Sequence, residues 1–147
     1  MWNAFHKATR CPVAPEFAIA LLVLRLVAAG IFVAQGSRKL FAPAEAPHGR
    51  ANLERLIAQR DLPRPDRLAW LVAVTELLGG FALVLGILTR LATVPLAVVL
   101  VVAIFGYKWR AGFIGGWDWP LSVLAIVVAI GLAGAGPISL DALLRIP

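Results

Sequence analysis

The sequence holds a single cysteine, Cys11, and two histidines, His6 and His48. One thiol cannot close an internal disulfide. With no CxxC pair, the thiol relay that vitamin-K reductases carry on four membrane helices is excluded. Both histidines fall outside the long apolar runs, so no pair of them can ligate a haem inside a helical bundle. No Cys/His cluster offers itself to zinc or an iron–sulfur centre, and no glycine fingerprint follows a strand to cradle a nucleotide. The run GLAGAG closes an apolar stretch and reads as helix packing. No metal site is expected, and the chain carries no redox centre of its own.

Charge is also scarce. Only 15% of the residues are charged against 61% hydrophobic, and the mean hydropathy is +0.86. A soluble domain of 147 residues needs a polar skin that this composition cannot supply. Acidic residues are the rarer sign, 8 against 14 basic, for a net charge of +6. The cations lie just outside apolar blocks, where they meet lipid headgroups, and not in a stripe interleaved with aromatics. The lipid bilayer is therefore the expected partner, and nucleic acid is not.

What is abundant is long apolar sequence. A hydrocarbon core of about 30 Å takes about 20 helical residues to cross. Four stretches reach that length with their flanks: 17–36, 68–88, 91–107 and 119–136. Barrel-type alternation is absent, so helix is the conformation that satisfies their backbones in lipid. The expectation is an all-α integral membrane protein, one domain over 1–147, built as a bundle of four transmembrane helices. The first span reads as a retained anchor, because it is long, contains Arg25 and is followed by no small-x-small cleavage site. Pro95 is placed in the first turn of the third span, where its missing N–H matters little. Three rows of small residues are expected to be close-packing faces: Ala29 with Gly36, Ala69 with Ala73 and Gly80, and Ala125 with Ala129 and Ala133.

Between spans one and two, Leu53, Leu56 and Ile57 with flanking charges predict a short amphipathic helix, stopped by Pro63 and Pro65. In the tail, Ser139 is a candidate N-cap for a short helix over 140–144. Four crossings put Lys7, Arg10, Arg90 and Arg145 on one face of the membrane. The opposite face takes Arg38, Lys39, Arg50, Arg55, Arg60, Arg64, Arg67, Lys108 and Arg110. The excess of basic residues predicts that loops 37–67 and 108–118 are cytoplasmic and both termini outside.

Arg25 stands in the middle of the first span. At mid-membrane it costs about 2.5–3.5 kcal/mol, so it needs a partner. Glu76 is the one acid deep within another span. Counted from the loop face, Arg25 lies about 16 Å and Glu76 about 12 Å into the membrane, which predicts an Arg25–Glu76 pair. Gln35, Lys39, Lys108, Trp117 and Asp118, with Trp119 at the rim, are expected to complete a polar pocket opening to the same face. Arg25 and Glu76 are its candidate catalytic groups, and the others its candidate ligand-binding groups.

Several stretches carry a resemblance along 24–144. They are LRLVAAGIFVAQGSRKLF, then LERLIAQRDLPRPDRLAWLVAVTELLGGFALVLGILTRLA, then VVAIFGYKWRAGFIGGWDWPL, and GPISLDALL. In this order they resemble the DoxX family of small four-helix membrane proteins. The resemblance implies a bacterial inner-membrane protein associated with oxidoreductase systems, in some members with quinone-linked sulfur oxidation. Arg25, Lys39, Glu76, Arg90 and Asp118 match the family's recurrent polar residues. Gln35 and Lys108 stand where members often have histidine, and a proton relay through those positions is not available here.

The function expected is that of a quinone-linked or accessory subunit of a membrane oxidoreductase system, with quinone as the candidate cofactor. The alternative is a non-catalytic adaptor that anchors a redox or metal-handling partner or assembles with copies of itself. A small transporter is a third reading.

Overall fold

A chain crossing lipid must satisfy its backbone polar groups within each segment, and four helices do so here. The computed structural model describes residues 15–43, 46 and 49–144. Cys11, His6, His48, Lys7, Arg10 and Arg145 lie outside them. Helix α1 is Pro15–Phe41, α2 Arg50–Ala58, α3 Pro65–Leu85, α4 Thr89–Ala103, α5 Asp118–Ala133 and α6 Leu140–Leu144. The third span continues past α4 through a π-turn at Ile104–Lys108 and a 3-10 turn to Ala111; the fourth begins at Phe113, ahead of α5.

The spanning helices therefore run 15–41, 65–85, 89–111 and 113–133, offset from the boundaries drawn by hydropathy. Backbone geometry, not apolarity, ends them. Gly86 adopts φ +65° and Leu88 φ +47°, so the apolar residues Ile87 and Leu88 form a turn instead of prolonging α3. Because α4 starts at Thr89, Pro95 lies inside the helix and not in its first turn. It cannot donate to the carbonyl of Leu91.

Helices α1, α3, α4 and α5 form a closed ring, α1 and α4 each touching α3 and α5. The most extensive contact is α1 against α3. Ala29 and Gly36 on α1 and Ala69, Ala73 and Gly80 on α3 are all buried, as their spacing predicts. A Cβ on Gly80 would lie 2.8 Å from the Val33 amide nitrogen, closer than real Cβ atoms come. The third small-residue row behaves differently. Ala125, Ala129 and Ala133 are exposed, and α5 instead buries Pro120, Val123, Val127 and Ile130. Branched side chains pack into the ring there, and the alanines look out to lipid.

Midway across the bundle, Ala28, Phe32, Leu83, Leu96, Leu100, Val123, Val127 and Ile130 make a dry core. Outside the ring, Val23, Leu78, Val94, Val98 and Leu132 are among many exposed apolar side chains, the surface a lipid-embedded protein presents. Helix α2 forms where the sequence predicts it and lies against α3 and α1, burying Ile57. Arg60, just after it, sits 5.5 Å from the ring centre of Tyr107, a cation–π contact that ties this connection to the end of the third span.

Candidate functional site

The buried charges of the bundle fall into two groups at opposite ends. At the loop end, Lys39 in the last turn of α1 reaches back along the helix to Glu76 of α3. Its Nζ donates to both carboxylate oxygens, Oε1 and Oε2, at 2.5 Å each. This is the one ion pair among the described residues. The Lys39 side chain is 16% exposed and Glu76 5%, so the pair is buried at its acidic end and reachable at its basic end. An ammonium has three N–H groups and two are used, which leaves one free to donate. Gln35, half-buried, sits one turn before Lys39 on the same helix, and its side-chain amide has no hydrogen-bond partner among the described residues.

Arg25 belongs to the other end. Its Nη1 donates to the carbonyl of Ala135 and its Nη2 to that of Ile138 at 2.8 Å. The Arg25–Glu76 pair expected from sequence is not formed. Gly36 of α1 packs against the Leu77 backbone of α3, which puts Glu76 level with that glycine, while Arg25 lies about 16 Å deeper along α1. Two closer partners then decide the matter. Lys39 meets Glu76, and the carbonyls that follow α5 meet Arg25.

Those carbonyls belong to a clasp. Asp141 of α6 accepts from the amides of Leu88 at 2.7 Å and Thr89 at 2.9 Å, capping the start of α4. Its own amide donates to the Gly86 carbonyl at 2.8 Å. The Ser139 hydroxyl accepts from the Ala142 amide at 3.1 Å, the N-cap that the sequence predicts. Gly86 lies directly beneath the guanidinium; a Cβ there would fall 2.8 Å from Arg25 Nη1 and 2.7 Å from Ser139 Cβ. Two buried polar atoms, Arg25 Nε and Thr89 Oγ1, have no partner among the described residues. Sequence reasoning missed Asp141. Its signal was an acid two residues after a Ser N-cap in an apolar tail, where the sequence predicts a short helix but no partner for the carboxylate.

The remaining candidates also part from the Lys39–Glu76 pair. Lys108 is exposed. Trp117 stacks on Trp109 at 5.4 Å, which stacks on Phe105 at 5.1 Å, while Phe113 meets the edge of Trp117 at 4.7 Å. Asp118 caps its own turn, accepting from the amides of Trp119 at 2.8 Å and Gly115 at 3.2 Å. Trp119 is exposed. These residues build an aromatic turn around Gly112 and Ile114, and the structure does not bring all the residues of the expected pocket together.

The DoxX family model matches residues 20–109. The chain belongs to the DoxX family. Relatives share it over most of their length. A protein of Bacillus subtilis (strain 168) that bears the name "Putative oxidoreductase CatD" is 28% identical over 126 residues, covering 86% of this chain and 87% of that one. "Uncharacterized membrane protein Rv3486" of Mycobacterium tuberculosis (strain H37Rv) is 32% identical over 135 residues, covering 83% and 79%. No solved structure matches significantly. The DoxX match contains Arg25, Lys39, Glu76 and Arg90 and stops short of Asp118 and Asp141. It thus spans the ion pair in full and the clasp only in part.

Proposed function

We propose that this DoxX protein is a quinone-linked or accessory subunit of a membrane oxidoreductase system, and that Lys39 and Glu76 form its ligand-facing site. The observation that carries the reading is the uncommitted N–H of a partly exposed lysine whose charge is already balanced by a buried carboxylate. A group so placed can donate to a neutral oxygen acceptor without bringing an unpaired cation into lipid. A quinone carbonyl is such an acceptor, and the unpartnered Gln35 amide one turn away offers a second donor. The residues present fit the headgroup in this respect. A bound quinone would supply the electron-accepting chemistry. Lys39 would hold and orient it, and Glu76 would fix the lysine and offer a carboxylate for a proton. The name of the Bacillus relative supports the oxidoreductase setting.

The test is quinone uptake by the full chain in lipid nanodiscs. Wild type is expected to copurify with quinone or be thermally stabilised by it. Lys39→Met and Glu76→Gln should lose that response while retaining helical circular dichroism. Folded wild-type protein that neither carries nor takes up quinone would overturn the reading.

A second reading rests on the aromatic turn. Ile114 is 90% exposed at its apex, beside the exposed Phe113 and Trp109. That hydrophobic tip suits an adaptor that anchors a redox partner at the loop face, which the charge bias of the loops would put in the cytoplasm. Crosslinking through position 114 in intact membranes should then yield a defined heteromeric product. The transporter reading gains no support, because the dry core lies between the two charged ends.

A further inference from the structure

The bundle carries a third cluster of charges that neither the ion pair nor the clasp uses. Where α2 lies against the first two turns of α3, a groove of about 540 Å³ is lined by Arg50, Glu54, Asp66, Arg67, Trp70 and Leu71. Two guanidinium and two carboxylate groups share this groove, yet none pairs with another within ion-pair distance. None of the four side chains hydrogen-bonds to another described residue. Groups of opposite sign that share a groove and remain separate are spaced for something that fits between them.

The position says what that is. Pro65 begins a membrane-spanning helix, so Asp66 and Arg67 lie at the level of the lipid headgroups. One turn deeper, Trp70 and Leu71 are 52% and 57% exposed and face the hydrocarbon. A ligand seated here meets mixed charge at its head and an apolar wall at its tail. We infer that the groove between α2 and α3 binds a zwitterionic phospholipid with a primary-amine headgroup, of the phosphatidylethanolamine type. Arg50 and Arg67 take the phosphate, for which guanidinium is the better cation. Glu54 and Asp66 take the ammonium, which has N–H groups to donate. The acyl chains follow Trp70 and Leu71. An anionic lipid would satisfy the arginines and leave two carboxylates opposing it. A trimethylated amine would satisfy charge but donate no hydrogen bond. Docking of a soluble peptide in the groove would leave its apolar end facing lipid.

The experiment uses the full chain in detergent micelles doped with one lipid at a time, read by native mass spectrometry and by thermal shift. The probes are dioleoyl phosphatidylethanolamine, phosphatidylcholine and phosphatidylglycerol. Phosphatidylethanolamine should be retained in preference to the other two by roughly tenfold, the scale of one charge-assisted hydrogen bond. Glu54→Gln with Asp66→Asn should abolish the preference for the primary amine while leaving phosphatidylglycerol binding intact or stronger. Arg50→Gln with Arg67→Gln should weaken all three. Each pair leaves the α2–α3 packing through Ile57 untouched, and circular dichroism verifies the fold. Equal retention of the three lipids overturns the proposal, as does a phosphatidylethanolamine preference that survives the carboxylate substitutions. A preference for phosphatidylglycerol in the wild type overturns it too.

Discussion

Lys39 and Glu76 face each other across the α1–α3 seam, one ammonium bridging both oxygens of one carboxylate. They are separated by 37 positions in sequence and held together by a row of small residues that brings the two helices close. This pair ties the proposed chemistry to the architecture, because the helix contact that buries the carboxylate is the contact that positions the lysine.

Removing one member should therefore cost more than removing both. Glu76→Gln or Lys39→Met alone leaves a partner charged or unsatisfied in the seam, a loss of about 3 kcal/mol. The double variant should recover most of it. Unfolding of all four proteins in mixed detergent micelles completes the cycle, and strict additivity would show that the pair is not energetically coupled.

The clasp makes a separate prediction. Asp141→Ala removes the acceptor of the Leu88 and Thr89 amides, and hydrogen bonds to a charged group are worth about 2 kcal/mol. Hydrogen exchange at those two amides should accelerate strongly, with little change near Lys39. Uniform acceleration throughout the bundle would mean that α6 is not a local cap.

Helix spacing can be probed with two glycines of α1 and α3. Gly80→Ala drives a methyl against Val33 and Ala29 and should cost about 2 kcal/mol. Gly30→Ala, with open space at its Cβ, should be neutral or slightly stabilising. Similar thermal shifts for both would contradict the close approach.

On α5, the lipid-facing alanines should tolerate enlargement. Ala129→Leu is expected to leave stability unchanged, whereas Val127→Ala, fully buried, should cost about 1–2 kcal/mol from lost packing. Titration with a denaturing detergent distinguishes the two.

Much of this architecture was readable before any coordinates. The four spans follow from a length rule that lipid thickness imposes, and the Ser139 cap and the surface helix α2 follow from short, local signals. The partner of Arg25 was not readable in that way. Its acceptors are backbone carbonyls at 135 and 138, which carry no side-chain signature. The depth estimate also took the loop-face ends of the two apolar spans as level, whereas Gly36 near the end of the first packs beside Leu77, well inside α3. The Ala125 row failed for a related reason: spacing identifies a helix face, but the neighbours decide whether that face meets protein or lipid. Asp141 was hidden because its role depends on a turn far away in the chain.

The distance between Arg25 and its acceptors, 110 residues in sequence for Ala135, bears on biogenesis. During synthesis the arginine emerges with the first helix, but what neutralises its hydrogen-bonding demand is translated only after the fourth. The insertion machinery must shelter that helix, or water must follow it into the bilayer, until the final crossing is complete and the latch can engage.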